Sequence, residues 1–208
     1  MMQAVPMLDD VTGIVLAGGR SSRFGSDKLA FEIDGRPMLD HAVDVLASVA
    51  PRIILVLAPE SAGSGAGPRR PPGGSRSIQV VHDATPFDGP LAALSNALDA
   101  VETPVALVVA GDMPRMVAAV LKRLASTVGS GRAAVNLEVP RRVQPLPMAI
   151  DVELARAAVA SLLGRGERSL HALLTELGAS AIPTPVWLSL DPAGTTILDV
   201  NRPGDLRG

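Results

Sequence analysis

The chain has no cysteine and no tyrosine, and only three phenylalanines and one tryptophan among its 208 residues. Without cysteine there is no disulfide, no thiolate metal ligand and no cysteine nucleophile. That composition suits a reducing compartment. Scarce aromatics leave no basis for a stacking surface that would hold single-stranded nucleic acid. They also leave Val, Leu, Ile and Ala to build the core. Charge of one sign is lacking too: the formal net charge is −2. It supplies no general attraction to nucleic acid or to an anionic membrane. No apolar run approaches the length of a membrane span. The opening MMQAVPMLDDVTG has an acidic pair and no basic region, so it does not read as a signal peptide. The expected location is cytoplasmic, with neither nucleic acid nor membrane as partner. The three histidines, His41, His82 and His171, stand apart, and no His/Cys cluster has zinc-ligand spacing.

What is present is a hydrophobic fraction of 47%, enough for one domain over residues 1–208 with a full core. One stretch stands out, Gly13 to Lys28, GIVLAGGRSSRFGSDK. Ile14 to Ala17 read as the end of a buried strand. Gly18 and Gly19 then open a loop carrying Arg20, Ser21, Ser22, Arg23, Ser26 and Lys28. Glycine admits an anion close to the backbone N–H groups. The hydroxyls add donors and the cations supply charge. The loop is therefore a candidate polyphosphate cradle, although two glycines after a core strand can also be a plain turn. It has neither P-loop spacing nor the dinucleotide Gly-x-Gly-x-x-Gly pattern.

Along the chain, apolar strands alternate with amphipathic helices. Strands are expected at 11–17, 52–58, 77–82, 103–109 and 132–139. Helices are expected at 37–50, from Gly89-Pro90 to Val101, and over the run from Val117 to Val128. Leu29 to Ile33 reads as a short extended piece ending at the turn Asp34-Gly35. Residues 59–77, rich in Gly, Pro, Ser and Arg, predict a mobile surface loop. A basic lid through Arg69, Arg70 and Arg76 is the alternative. Later come an extended segment at 144–151, a helix capped by Asp151, a helix at 169–177, and strands at 179–183 and 195–200. Such alternation implies an α/β fold, with a mostly parallel sheet and helices on both faces. Ligands then bind at the C-terminal ends of the strands.

That edge collects the candidate site: the 18–28 loop, Asp83, Asp112, and the pair Asp199 and Asn201. Hard oxygen ligands beside phosphates suit Mg²⁺. Each residue also has an ordinary structural role open to it. Asp112 can cap a helix, Asp83 can end a strand, and Asn201 can sit in a turn.

Read in order, the motifs LAGGRSSRFGSDK (16–28), GRPML (35–39), DGPLAAL (88–94), AGDMP (110–114), QPLPMAI (144–150), GERSL (166–170) and DVNRPGDL (199–206) resemble those of the molybdenum cofactor guanylyltransferase family. The resemblance implies a Rossmann-like three-layer fold of the nucleotide-diphospho-sugar transferase type. It implies transfer of GMP from GTP to the phosphate of molybdenum-bound molybdopterin, with release of pyrophosphate and Mg²⁺ as cofactor. By this resemblance Leu16, Ala17, Gly18, Gly19, Arg20, Ser21, Lys28, Asp83 and Asp112 bind nucleotide. Arg23, Lys28 and Asp112 are catalytic, and Asp112 and Asn201 hold the metal. Proteins that deliver or accept the cofactor are further possible partners. Many family members carry an Asn after the second strand, where this chain has Val56-Leu57-Ala58-Pro59. A cytidylyltransferase acting on the same cofactor or on another small phosphate acceptor stays open. So does a nucleotide-binding homologue without catalysis.

Overall fold

The computed structural model describes residues 8–18, 31–59, 77–83, 88–128, 130–141 and 144–200. The predicted loop at 59–77 falls almost wholly outside them: Pro59 is described and Ser77 already belongs to a strand. The elements run β1 (Val11–Leu16), β2 (Glu32–Ile33), β3 (Arg36–Pro37), α1 (Met38–Ala47), β4 (Arg52–Leu57), β5 (Ser77–His82), α2 (Pro90–Leu98) and β6 (Val105–Ala110). They continue with α3 (Ala118–Val128), β7 (Ala134–Leu137), β8 (Met148–Asp151), α4 (Val152–Gly164), α5 (Leu170–Glu176), β9 (Ser180–Ile182) and α6 (Thr184–Leu188).

Seven strands form one sheet in the order β5-β4-β1-β6-β8-β7-β9. The pairs β1/β4, β1/β6, β4/β5 and β7/β9 are parallel. Only β8 runs against its neighbours, β6 and β7. The expected α/β architecture is thus the observed one, a mostly parallel sheet between helical layers.

Strand alternation explains how the sheet serves two cores. Val15, Ile53, Leu55, Leu107 and Val109 face one layer, where Leu46 of α1 and Leu121 and Leu124 of α3 are buried. Ile14, Ile54, Val56, Ala106 and Val108 face the other, against Leu91 and Leu94 of α2, Val159 of α4 and Leu173 of α5. A strand buried on both faces has no polar side to alternate with, so these runs are continuously apolar. Gly13 shows how closely the layers approach. A Cβ there would lie 2.5 Å from Leu46 Cγ and 2.7 Å from Ile53 Cδ1.

Several local expectations are met through identifiable chemistry. Asp151 caps α4, accepting from Leu154 N at 3.0 Å. Gly89 adopts φ 92° just before Pro90, the first residue of α2. Asp34 and Gly35 both have positive φ and turn β2 into β3, as tight hairpins require. The hairpin is tied down by His41, whose Nε2–H donates to Ile33 O at 2.9 Å.

Two expectations need correction. The strand expected at 195–200 is a 3₁₀ turn, Thr195–Ile197, followed by an extended segment outside any sheet. Gly194 precedes it with φ 66°. The buried carboxylate of Asp191 gathers the turn, so local side-chain bonding overrides the β-branched composition. Residues 184–188, for which the sequence suggested no element, form α6. There Pro185 stands at the start of the helix, the one helical place that tolerates it. Trp187 is buried and donates from Nε1 to Glu138 O at 2.9 Å.

Candidate active site

The chain builds β4 and β5 on one side of β1, then returns to place β6 on the other. Such a reversal leaves a crevice at the strand C-termini where ligands bind. The C-terminal ends here are laced together. Ala17 N donates to Val56 O, Gly111 N to Leu16 O and Asp83 N to Leu57 O, each at 2.9 Å. Leu16, Ala17, Gly18, Asp83 and Asp112 therefore share one edge, brought there from three strands.

Gly18 and Asp83 meet directly. A Cβ on Gly18 would lie 2.9 Å from Asp83 Oδ2 and 3.5 Å from Ala58 N. Space and not backbone conformation favours glycine here: its φ is outside the left-handed region, and a Cβ would make the Asp83 carboxylate shift. Asn96 of α2 donates from Nδ2 to the other oxygen, Asp83 Oδ1, at 3.3 Å. Partial burial raises the Asp83 carboxyl above its ordinary value. The Asn96 hydrogen bond opposes this and nearby Asp88 adds to it. Asp83 does follow the last residue of a strand, yet its side chain is also held at the crevice.

Asp112 is not a helix cap. It lies two residues past β6, and α3 does not begin until Ala118. Asp112 instead lines a cleft of about 230 Å³ with Ala110, Met113, Gln144, Pro145, Leu146 and Asp199. Gln144 Nε2 donates to Ile197 O at 2.8 Å, and Asn136 Nδ2 donates to Gln144 O at 3.2 Å. Val200 N donates to Asp112 O at 2.9 Å, joining the late segment to the Asp112 loop. Asp199 thus reaches the edge from a loop, not from the end of a parallel strand.

Two motifs far apart in sequence are joined beside this edge. Arg168 Nε donates to Asp88 Oδ1 at 2.7 Å, and Leu91 N donates to Arg168 O at 3.2 Å. A Cβ on Gly89 would lie 2.9 Å from Arg168 Cβ. The turn before α5 therefore fixes the turn that starts α2, the helix that carries Asn96.

Gly19, Arg20, Ser21, Arg23, Lys28 and Asn201 lie outside the described residues, as do Arg69, Arg70 and Arg76. Sequence reasoning missed Asn96 as a partner of Asp83. Its only signal was a polar residue between the apolar positions Leu94 and Ala97. Sequence reasoning also gave no cleft role to Met113, which could not be told from a core residue. Among the described residues no three His, Asp or Glu side chains form a metal cage. No described helix is long and apolar enough to cross a membrane.

A family model described as MobA-like NTP transferase domain matches residues 13–181. A probable molybdenum cofactor guanylyltransferase of Chloroflexus aggregans is 33% identical over 202 residues, 95% of this chain and 92% of its own. A molybdenum cofactor guanylyltransferase of Serratia proteamaculans is 32% identical over 178 residues, 85% of each chain. Among solved structures, molybdopterin-guanine dinucleotide biosynthesis protein A of Archaeoglobus fulgidus superposes with a TM-score of 0.74 at 20% identity, over 94% of this chain and 95% of its own. A 4-diphosphocytidyl-2C-methyl-D-erythritol synthase of Anaerococcus prevotii gives 0.66 at 13% identity, over 96% and 95%. Proteins named for guanine and for cytidyl chemistry thus share this fold, and the fold alone does not choose the base. The matched motifs, the sheet edge that gathers them and the extent of these matches agree: the chain belongs to the MobA-like NTP transferase domain family and is a nucleotidyltransferase.

Proposed function

We propose that this protein transfers GMP from GTP to the terminal phosphate of molybdenum-bound molybdopterin. A phosphate oxygen of the acceptor attacks the α-phosphorus of GTP. The bond from the α-phosphorus to the bridging oxygen breaks, and pyrophosphate leaves. The observation that carries the reading is the convergence of Gly18, Asp83 and Asp112 on one edge of the sheet. Guanylyltransferase relatives at 32–33% identity support GTP and molybdopterin as substrates.

The roles are those that the matched motifs imply. Leu16, Ala17, Gly18 and Asp83 hold the nucleoside end, with Asn96 orienting the Asp83 carboxylate. Gly19, Arg20, Ser21 and Lys28 cradle the triphosphate, and Arg23 and Lys28 offset the charge that develops on it. Transfer at phosphorus depends on positioning and electrostatics, so no protein nucleophile is required. Asp112 faces a cleft shared with Asp199. Two carboxylates without a complete cage fit Mg²⁺, which takes one or two carboxylates and fills its shell with phosphate oxygens and water. Asp112, with Asp199 or Asn201, would hold it. When bound, the ion supplies positive charge to the phosphate oxygens.

Calorimetric titration with GTP, CTP and ATP, each with Mg²⁺ and then with EDTA, tests the reading. GTP preference that depends on Mg²⁺, followed by pyrophosphate release with molybdopterin, is the expected result. CTP preference would make the protein a cytidylyltransferase. Binding without turnover would make it a non-catalytic homologue. Asp112→Ala is expected to abolish turnover and leave the fold intact, since Val200 bonds the Asp112 backbone, which alanine keeps. Full turnover in that variant would remove Asp112 from the chemistry.

A further inference from the structure

Asp191 lies outside every motif and does not line the cleft, yet it is 3% exposed. A buried carboxylate is costly unless hydrogen bonds satisfy it. Here they do. Asp191 Oδ2 accepts from Thr196 N at 2.7 Å, and Oδ1 accepts from Thr195 Oγ1 at 3.3 Å. Burial pushes this carboxyl up, and the hydrogen bonds from Thr196 and Thr195 outweigh it, so it lies below its ordinary value.

The turn so gathered is bonded to the loop that carries Asp112. Thr196 is fully buried, and its Oγ1 accepts from Val117 N at 3.0 Å. Four residues later Val200 N donates to Asp112 O. Gln144 holds Ile197 O between them. Val200 is buried with Ile33 and Met38. The Asp112 loop and the Asp199 segment are thus joined at both ends, and Asp191 organises the end remote from the cleft.

We infer that Asp191 is a positioning residue: through Thr196 it fixes the segment carrying Asp199 against the Asp112 loop. This rests on the nucleotidyltransferase reading of the cleft. Both carboxylate oxygens are used as acceptors, and the charge strengthens the short bond from Thr196 N. An amide offers one neutral acceptor, and its NH₂ is satisfied only if the Thr195 hydroxyl turns round to accept. The nucleoside end at Gly18 and Asp83 has no contact with this latch among the bonds described, so kcat responds more than nucleotide KM.

The test uses Asp191→Asn, Thr196→Val and the conservative Thr196→Ser, each checked for a native thermal transition above the assay temperature. For Asp191→Asn and Thr196→Val, kcat is expected to fall about ten- to hundredfold, as small misplacements do. The KM for the nucleotide rises by a smaller factor than kcat falls, since the nucleoside end at Gly18 and Asp83 is untouched. Thr196→Ser, which keeps the Oγ acceptor, restores kcat. Amide hydrogen exchange supplies a readout independent of turnover: peptides covering 112–117 and 195–200 exchange faster in Asp191→Asn, and β1 and β4 do not. Unchanged exchange at 112–117 overturns the latch. Faster exchange with unchanged kcat overturns its role in positioning. A wild type that turns over no nucleotide overturns the reading of the cleft, and the exchange result still decides the latch.

Discussion

The contact between Gly18 and Asp83 permits a quantitative test. In Gly18→Ala the new Cβ meets Asp83 Oδ2 at 2.9 Å, whereas ordinary contact begins at 3.4 Å. The carboxylate must move by about half an ångström. Its bond from Asn96 is already 3.3 Å long, so this movement breaks it. Losing a hydrogen bond and leaving a half-buried carboxylate less satisfied costs about 1–2 kcal/mol. Alanine restricts the unfolded chain and returns about 0.4–1 kcal/mol, because the native φ suits it. The net loss of stability is about 1 kcal/mol. Urea unfolding measures it, and a double-mutant cycle isolates it. In an Asp83→Ala background the clash partner is gone, so Gly18→Ala becomes neutral or stabilising. The coupling between the two positions is then the full contact cost of about 1–2 kcal/mol. Strict additivity would refute the contact. Nucleotide affinity falls in the single variant as well, since Asp83 is displaced at the crevice.

Gly13→Ala places a methyl against Leu46 and Ile53, so unfolding experiments are expected to show a loss of about 1–3 kcal/mol from overpacking. Arg168→Ala removes a half-exposed ion pair with Asp88 and costs under about 1 kcal/mol of stability. Nucleotide KM nevertheless rises, because the start of α2 loses its anchor. An unchanged KM would separate that turn from nucleotide binding. The raised carboxyl of Asp83 predicts a pH dependence of definite sign. The folded state binds this proton more readily than the unfolded chain, so Asp83 stabilises the protein more as pH falls through its folded-state value. Asp83→Asn is therefore expected to be more stable than wild type at neutral pH, with the difference closing in acid. A difference that widens in acid would contradict it.

The alternation of strand and helix, and the helix starts at Asp151 and Gly89-Pro90, were legible in the sequence. Each depends on near neighbours: a glycine where backbone must be open, an aspartate before a helix, an apolar run buried on two faces. The family was legible for the same reason, because its motifs are contiguous. The strand at 195–200 was misread because Thr195, Thr196 and Ile197 have β-branched side chains, and nothing local announces that Asp191 will bend them into a turn. Residues 184–188 gave no signal because prolines obscured the short helix. Only the tertiary structure joined Asn96 to Asp83, Arg168 to Asp88, and Thr196 to Val117. These pairs are 13, 80 and 79 residues apart. Composition and spacing determine which elements form. Which side chains meet is decided by the strand order around β1 and by two helical layers closing on one sheet.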